Sequence, residues 1–147
     1  MLQFFGAECI YGIRAIELIH GHACAQNATL SLGRLIVPGR ILLHDQPPSP
    51  WVLPGQLTVR AVERMRAAGA TVTLVGHGSQ TIVAWPDDTL RDFMLFDVLM
   101  HEIGHHQIQQ YKGKRSIRVM RTRDHEASAD HFARQCRAQY AARGKTD

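Results

Sequence analysis

The sequence predicts an α+β fold, and three observations carry that expectation. Segments rich in Leu, Ile, Val and Thr, punctuated by Pro and Gly, recur as far as Trp85. A long helix with an apolar stripe begins at Thr89. A second run of good helix formers extends from Asp124 to about Ala142.

The chain of 147 residues, 45% of them apolar, is large enough to bury one core without disulfides or other staples. It reads as a single domain over 1–147, with a β-rich N-terminal part, 1–55, and a second part, 56–147, that holds the chemistry. Cys9, Cys24 and Cys136 are odd in number and form no C-x-x-C pair, which fits a reducing compartment. The N-terminus has no basic leader, and Glu8, Arg14 and Glu17 interrupt its apolar stretch. A cytoplasmic protein without a membrane span is expected. The net charge of +4 is compatible with acidic partners, nucleic acid included, but surface solubility alone selects charges of this size.

The elements follow in order. Phe4 to His22 mixes β-formers with an apolar repeat of three at Ile10, Ile13, Ile16 and Ile19, and reads as strand. Thr29 to Val37 and Arg40 to His44 flank Pro38-Gly39, the dipeptide of a type II turn, and predict a hairpin. Gln46 to Pro54 holds four prolines and reads as a loop. Gln56 to Ala68 alternates apolar Leu57, Val59, Val62 and Met65 with Arg60, Glu63, Arg64 and Arg66, the pattern of an amphipathic helix that stops at Gly69. Thr71 to Val75 and Thr81 to Trp85 form a second expected hairpin around Gly76-His77-Gly78-Ser79. The next helix opens at Thr89, whose spacing to Asp92 suggests a capping box, and runs to about Tyr111.

That helix carries His101-Glu102-Ile103-Gly104-His105, an H-E-x-x-H motif. Residues four apart share a helix face, so both imidazoles can aim at one metal ion, for which zinc is the natural choice. Glu102, one position round the helix, lies beside such an ion and suits a general base acting on a bound water. Gly104 costs about 1 kcal/mol against alanine in a helix and therefore implies close packing, with the sheet the expected neighbour. With nine His in the chain, chance would produce the motif at a frequency of about 0.02, so a third ligand is the decisive test.

The metzincin continuation needs Gly and His where this chain has Ile108 and Tyr111, and the deformylase arrangement needs a motif that surrounds neither Cys9 nor Cys24. Twenty residues past His105 begins Asp124-His-Glu126-Ala-Ser-Ala-Asp130-His-Phe-Ala133. Glu126 and Asp130 share a helix face, and the alanines permit close approach to the first helix. Glu126 is the candidate third ligand. Asp130, one turn later, suits a carboxylate that accepts the free ring N–H of a ligating histidine. His125, His131, Tyr111 and Tyr140 are each chemically able to donate to an oxyanion, and each has an ordinary structural role as its alternative.

Through His101-Glu-Ile-Gly-His105 and Glu126-x-x-Ala-Asp130-x-Phe-Ala133 the sequence resembles the gluzincin zinc metallopeptidases, particularly short ones of ImmA/IrrE type. The resemblance covers about residues 70 to 140. It implies a zincin-like fold: a small mixed sheet over an active-site helix and a glutamate helix. It also implies one zinc ion per chain, and hydrolysis of a peptide or protein substrate, with a specific regulatory protein among the substrates such a family suggests. The substrate would lie along an edge strand, for which Thr71 to Val75 is the candidate.

Lys112 to Arg123 holds Lys112, Lys114, Arg115, Arg118, Arg121 and Arg123 with no acid. It reads as a solvated connection between the two helices, or as a weaker candidate for nucleic acid, since no aromatics interleave the charges. The competing functional class is a zinc-stabilised binding or regulatory protein that works through this basic surface without hydrolysis. Oligomeric state has no signature in the sequence.

Overall fold

The structure, a computed structural model, describes residues 2–20, 25–26, 29–111 and 121–143. After a 3-10 turn over Leu2–Phe5 come α1 (Gly6–Ile10), β1 (Ala15–Ile19), β2 (Ala25–Gln26), β3 (Thr29–Leu30), β4 (Gly33–Ile36), β5 (Arg40–His44) and β6 (Trp51–Pro54). There follow α2 (Val59–Ala67), β7 (Thr71–Val75), β8 (Gln80–Ala84), α3 (Thr89–Asp92), a π-type stretch (Phe93–Met100), α4 (His101–Tyr111) and α5 (Arg123–Arg143). The chain is α+β with small sheets, as expected. Among the described residues no helix is long and apolar enough to cross a membrane.

The elements sort into two compact units interleaved in sequence, one of Met1–Leu18, Gly33–Leu43 and Phe96–Asp147, the other of Ile19–Leu32 and His44–Leu95. In the first, β4 and β5 form an antiparallel hairpin with Leu35 opposite Ile41. The strand order is β1-β5-β4, which leaves β4 at an edge. Arg14 N–H donates to the Gly39 carbonyl, and Asp45 N–H to that of Ile19, so β1 runs parallel to β5 and the sheet is mixed. The hairpin is present, but Thr29–Leu30 belongs to β3, paired with β2 rather than with β5. Its turn also differs from type II: Gly39 N–H donates to the Ile36 carbonyl at 3.0 Å, which puts Pro38 third in the turn instead of second.

The core of this unit gathers Leu35, Ile41, Val98, Leu99, Met100, Ile103, Ala129, Ala133 and Cys136. Met100 and Ile103 are fully buried, each contributing about 1.5–3 kcal/mol of apolar transfer. Two close approaches define the packing. A Cβ on Gly33 would meet Val98 Cγ1 at 2.7 Å, so glycine lets β4 lie directly on the π-type stretch. A Cβ on Gly104 would meet Ala129 Cα at 3.0 Å, and Ala129 Cβ and carbonyl oxygen at 3.3 Å. The expectation that Gly104 packs on the sheet is therefore corrected: it admits the backbone of α5.

In the second unit, β6, β8 and β7 form an antiparallel sheet in that order, with Val52, Ile82 and Thr73 in register. The β7–β8 hairpin follows the sequence reading, and β7 is an edge strand of this sheet. Strand β6 replaces the expected loop: Trp51-Val-Leu53 is β-forming, and an edge position tolerates Pro54 because no ladder partner is needed on its outer side. Trp51 and Trp85 meet edge to face at 5.1 Å and Trp85 and Phe93 at a tilt at 4.8 Å, and all three are buried, as are Met65 of α2 and Val83 of β8. Helix α2 is capped by Thr58, whose hydroxyl accepts from Ala61 N–H at 3.2 Å.

Two other expectations fail locally. Residues Leu2 to Ile10 are helical, so the stretch from Phe4 is strand only over Ala15–Ile19; a period-three apolar repeat fits a short helix as well as a strand. Thr89 is not the cap of its helix. Its hydroxyl donates to the Pro86 carbonyl at 2.5 Å, and Asp88 occupies the cap position without capping a backbone N–H, its carboxylate pairing with Arg91 instead.

Candidate metal centre

The centre is built by α4 and α5 within the first unit. The helical spacing of His101 and His105 sets their rings at 83° with centroids 4.7 Å apart, and their Nε2 atoms 3.1 Å apart. Both side chains are buried. Because Gly104 brings α5 close, Glu126 in the first turn of α5 reaches them: Oε2 lies 3.4 Å from His101 Nε2, and Oε1 lies 3.3 Å from His105 Nε2. The two Nε2 atoms, 3.1 Å apart, thus each face one oxygen of the Glu126 carboxylate at 3.3 or 3.4 Å. Ligands at about 2.0–2.1 Å from a tetrahedral zinc are separated by about 3.3–3.4 Å, so these separations are of the size such a site needs. Two imidazoles and a carboxylate, with one coordination position left over, also suit catalytic more than structural zinc. Among the described residues this is the one cluster of His, Cys, Asp and Glu of this kind.

Asp130 stands one turn beyond Glu126 on α5, and its Oδ1 is 2.8 Å from His101 Nδ1. A carboxylate on the far nitrogen fixes which ring nitrogen faces the ligand cluster and raises its basicity. If this cluster holds an ion, Asp130→Ala should accordingly weaken metal binding, tested with zinc, by about 10–100-fold with the fold intact. Competition against a chromophoric chelator measures this, and an unchanged affinity would remove Asp130 from the site.

His105 is held in its neutral form, its pKa lowered to about 3, first by burial and then by the neighbouring His101, Arg121 and His125, with Asp130 acting in the opposite sense. A neutral imidazole is the ligating form. Since the ordinary value is 6.5, the unfolded chain binds a proton between pH 6.5 and 3 that the folded chain refuses. Stability of the chelator-treated protein should therefore fall as pH is lowered through that window, by up to about 1.4 kcal/mol per pH unit from this group. Urea denaturation at pH 4 to 7 tests it, and a flat or opposite trend would contradict the burial of a neutral His105.

Glu102 is 4% exposed and lies beside the triad, where its position in the motif requires. It is engaged on both oxygens. Leu35 N–H of β4 donates to Oε2 at 2.9 Å, and Arg121 Nη2 lies 2.7 Å from Oε2 and 3.0 Å from Oε1. Arg121 Nη1 is also 3.6 Å from Glu126 Oε1. Neither partner was expected. Leu35 contributes a backbone group that no side-chain pattern reveals. Arg121 had a signal: a carboxylate buried among apolar residues needs a counter-charge, and Arg121 precedes Glu126 by five residues.

Of the candidate oxyanion donors, His125 is buried at the start of α5 and close enough to act on His105 electrostatically. His131 is exposed. The Tyr140 ring packs with Phe4, Phe5 and Phe96 at 5.2, 6.5 and 5.6 Å. The side chain of Tyr111, like Cys24 and most of the basic run, Lys112 to Met120, lies outside the described residues. Comparisons with protein-family models, with curated proteins and with solved structures each returned no match.

Proposed function

We propose that this chain is a zinc-dependent peptidase of gluzincin type, with a zincin-like arrangement of α4, α5 and β4, acting in the cytoplasm on a peptide or protein substrate. One observation carries the reading: His101 Nε2 and His105 Nε2 lie 3.1 Å apart, each with an oxygen of Glu126 at 3.3 to 3.4 Å, and Glu102 is adjacent. His101, His105 and Glu126 would hold the ion, and Asp130 would orient His101. When bound, zinc polarises a carbonyl and acidifies its water. Glu102 would take up a proton from the attacking water and pass it to the leaving amine. His125 is the best supported of the four oxyanion donors, being buried next to Glu126. An extended substrate suits the outer edge of β4 better than that of Thr71–Val75, the edge expected from the sequence, because β4 already reaches the base through Leu35 N–H.

A second reading, a zinc-stabilised binding or regulatory protein without hydrolysis, has one observation in its favour: Arg121 sits on both oxygens of Glu102, as in a purely structural ion pair. Hydrolysis of quenched fluorescent casein and of a mixed peptide library separates the two. The peptidase reading expects turnover that a chelator abolishes and zinc restores. Stoichiometric zinc with no turnover on any substrate would favour the binding protein.

A further inference from the structure

The contact between Arg121 and Glu102 is the least expected feature of the centre, and it bears on the substrate. The Arg121 side chain is 39% exposed while that of Glu102 is 5% exposed, so one end of the pair faces solvent and the other is sealed in. The guanidinium spans two carboxylates, Nη2 on Glu102 and Nη1 3.6 Å from Glu126, and so occupies the side of the ligand cluster where Glu102 would meet a water. With Leu35 N–H on Oε2 as well, three donor contacts already reach the two oxygens of Glu102. For Glu102 to accept a proton from water, the guanidinium has to give way.

A guanidinium leaves a carboxylate at least cost by moving to another carboxylate, since its planar fork pairs with either and stays charged throughout. We propose that Arg121 is the specificity-determining residue of the site: a carboxylate of the substrate, next to the bond to be cut, takes Arg121 from Glu102 and frees the base. The substrate class that follows is an acidic peptide segment. Charge agrees with this, because the sequence from Lys112 to Arg123 carries six basic residues and no acid, and the whole chain is +4. The inference rests on the peptidase reading above and reconciles it with the ion pair that otherwise argues for a binding protein.

The test is a binding measurement that needs no turnover. The probes are a fluorescein-labelled heptapeptide with two glutamates among alanines and glycines, and the same peptide with glutamine in their place. Fluorescence anisotropy compares zinc-supplemented wild type, Glu102→Gln and the double variant Glu102→Gln with Arg121→Ala. Exchange predicts that Glu102→Gln binds the acidic probe about tenfold more tightly than wild type does, because no internal pair has to be broken. It predicts the same order of preference for the acidic over the glutamine probe in Glu102→Gln, and none in the double variant. Equal affinity of wild type and Glu102→Gln, an acid preference that survives loss of Arg121, or no binding of the acidic probe would each overturn the exchange. Zinc measured on the same samples separates the failures: with one zinc per chain only the exchange falls, and without zinc the metallopeptidase reading falls with it.

Discussion

On the proposed peptidase reading, Glu102→Gln is expected to lower peptide hydrolysis by about 10²–10⁴-fold with metal content unchanged. The substitution keeps the volume of a buried side chain and leaves an oxygen to accept from Leu35 N–H, so no cavity forms and that amide keeps its acceptor. What it removes is the capacity to take up and return a proton. Arg121 loses its partner, but its side chain is more than one-third exposed and turns to water, so the stability change is small. Alanine would be a poorer probe, because the unsatisfied Leu35 amide would add about 1–3 kcal/mol of unrelated destabilisation. The check is kcat/KM together with zinc content on the same preparation. Retained hydrolysis would mean that another group is the base.

The second large effect is expected at Gly104. Valine there should destabilise the protein by about 2–3 kcal/mol and reduce zinc affinity by more than about tenfold. The atoms that a side chain would meet belong to the Ala129 backbone and Cβ, at 3.0 to 3.3 Å, and backbone cannot swing aside as a long side chain does. Helix α5 has to move, and Glu126 lies three residues from Ala129 on that helix. Gly104→Ala makes the contrast: its gain of about 1 kcal/mol in helix propensity offsets part of the clash, so it should fall between wild type and valine. Denaturation with and without zinc reads both quantities. A valine variant as stable as wild type, with unchanged zinc affinity, would show that the helix separation does not govern the site.

The parts of this centre that the sequence made legible are those governed by local geometry. His101 and His105 follow from the four-residue repeat of one helix face, and Glu126 and Asp130 from the same repeat on the next helix. What stayed hidden is set by tertiary packing. Leu35 reaches Glu102 across 67 positions through a main-chain amide, and its side chain gives no sign of it. Arg121 stood in a basic run whose ordinary fate is solvation, and its pairing depends on where α5 begins. Gly104 announced a close contact correctly but not its partner, because a helix interior lacking a Cβ admits sheet or helix equally. The same holds for the elements: the β7–β8 hairpin and α2 carry clear turn and cap signals, whereas β6 follows Pro50 and ends on Pro54, where proline argues against a strand except at an edge. The π-type turns over Phe93–Met100 fall in an almost wholly apolar stretch, in which no period separates one helix type from another.

The account stands most directly on metal stoichiometry. Protein purified in zinc-replete buffer, dialysed and analysed by inductively coupled plasma mass spectrometry should contain one zinc per chain, and Glu126→Ala should retain far less under the same dialysis. Wild type without stoichiometric metal, or a Glu126→Ala variant that holds zinc as tightly as wild type, would contradict a centre formed by His101, His105 and Glu126.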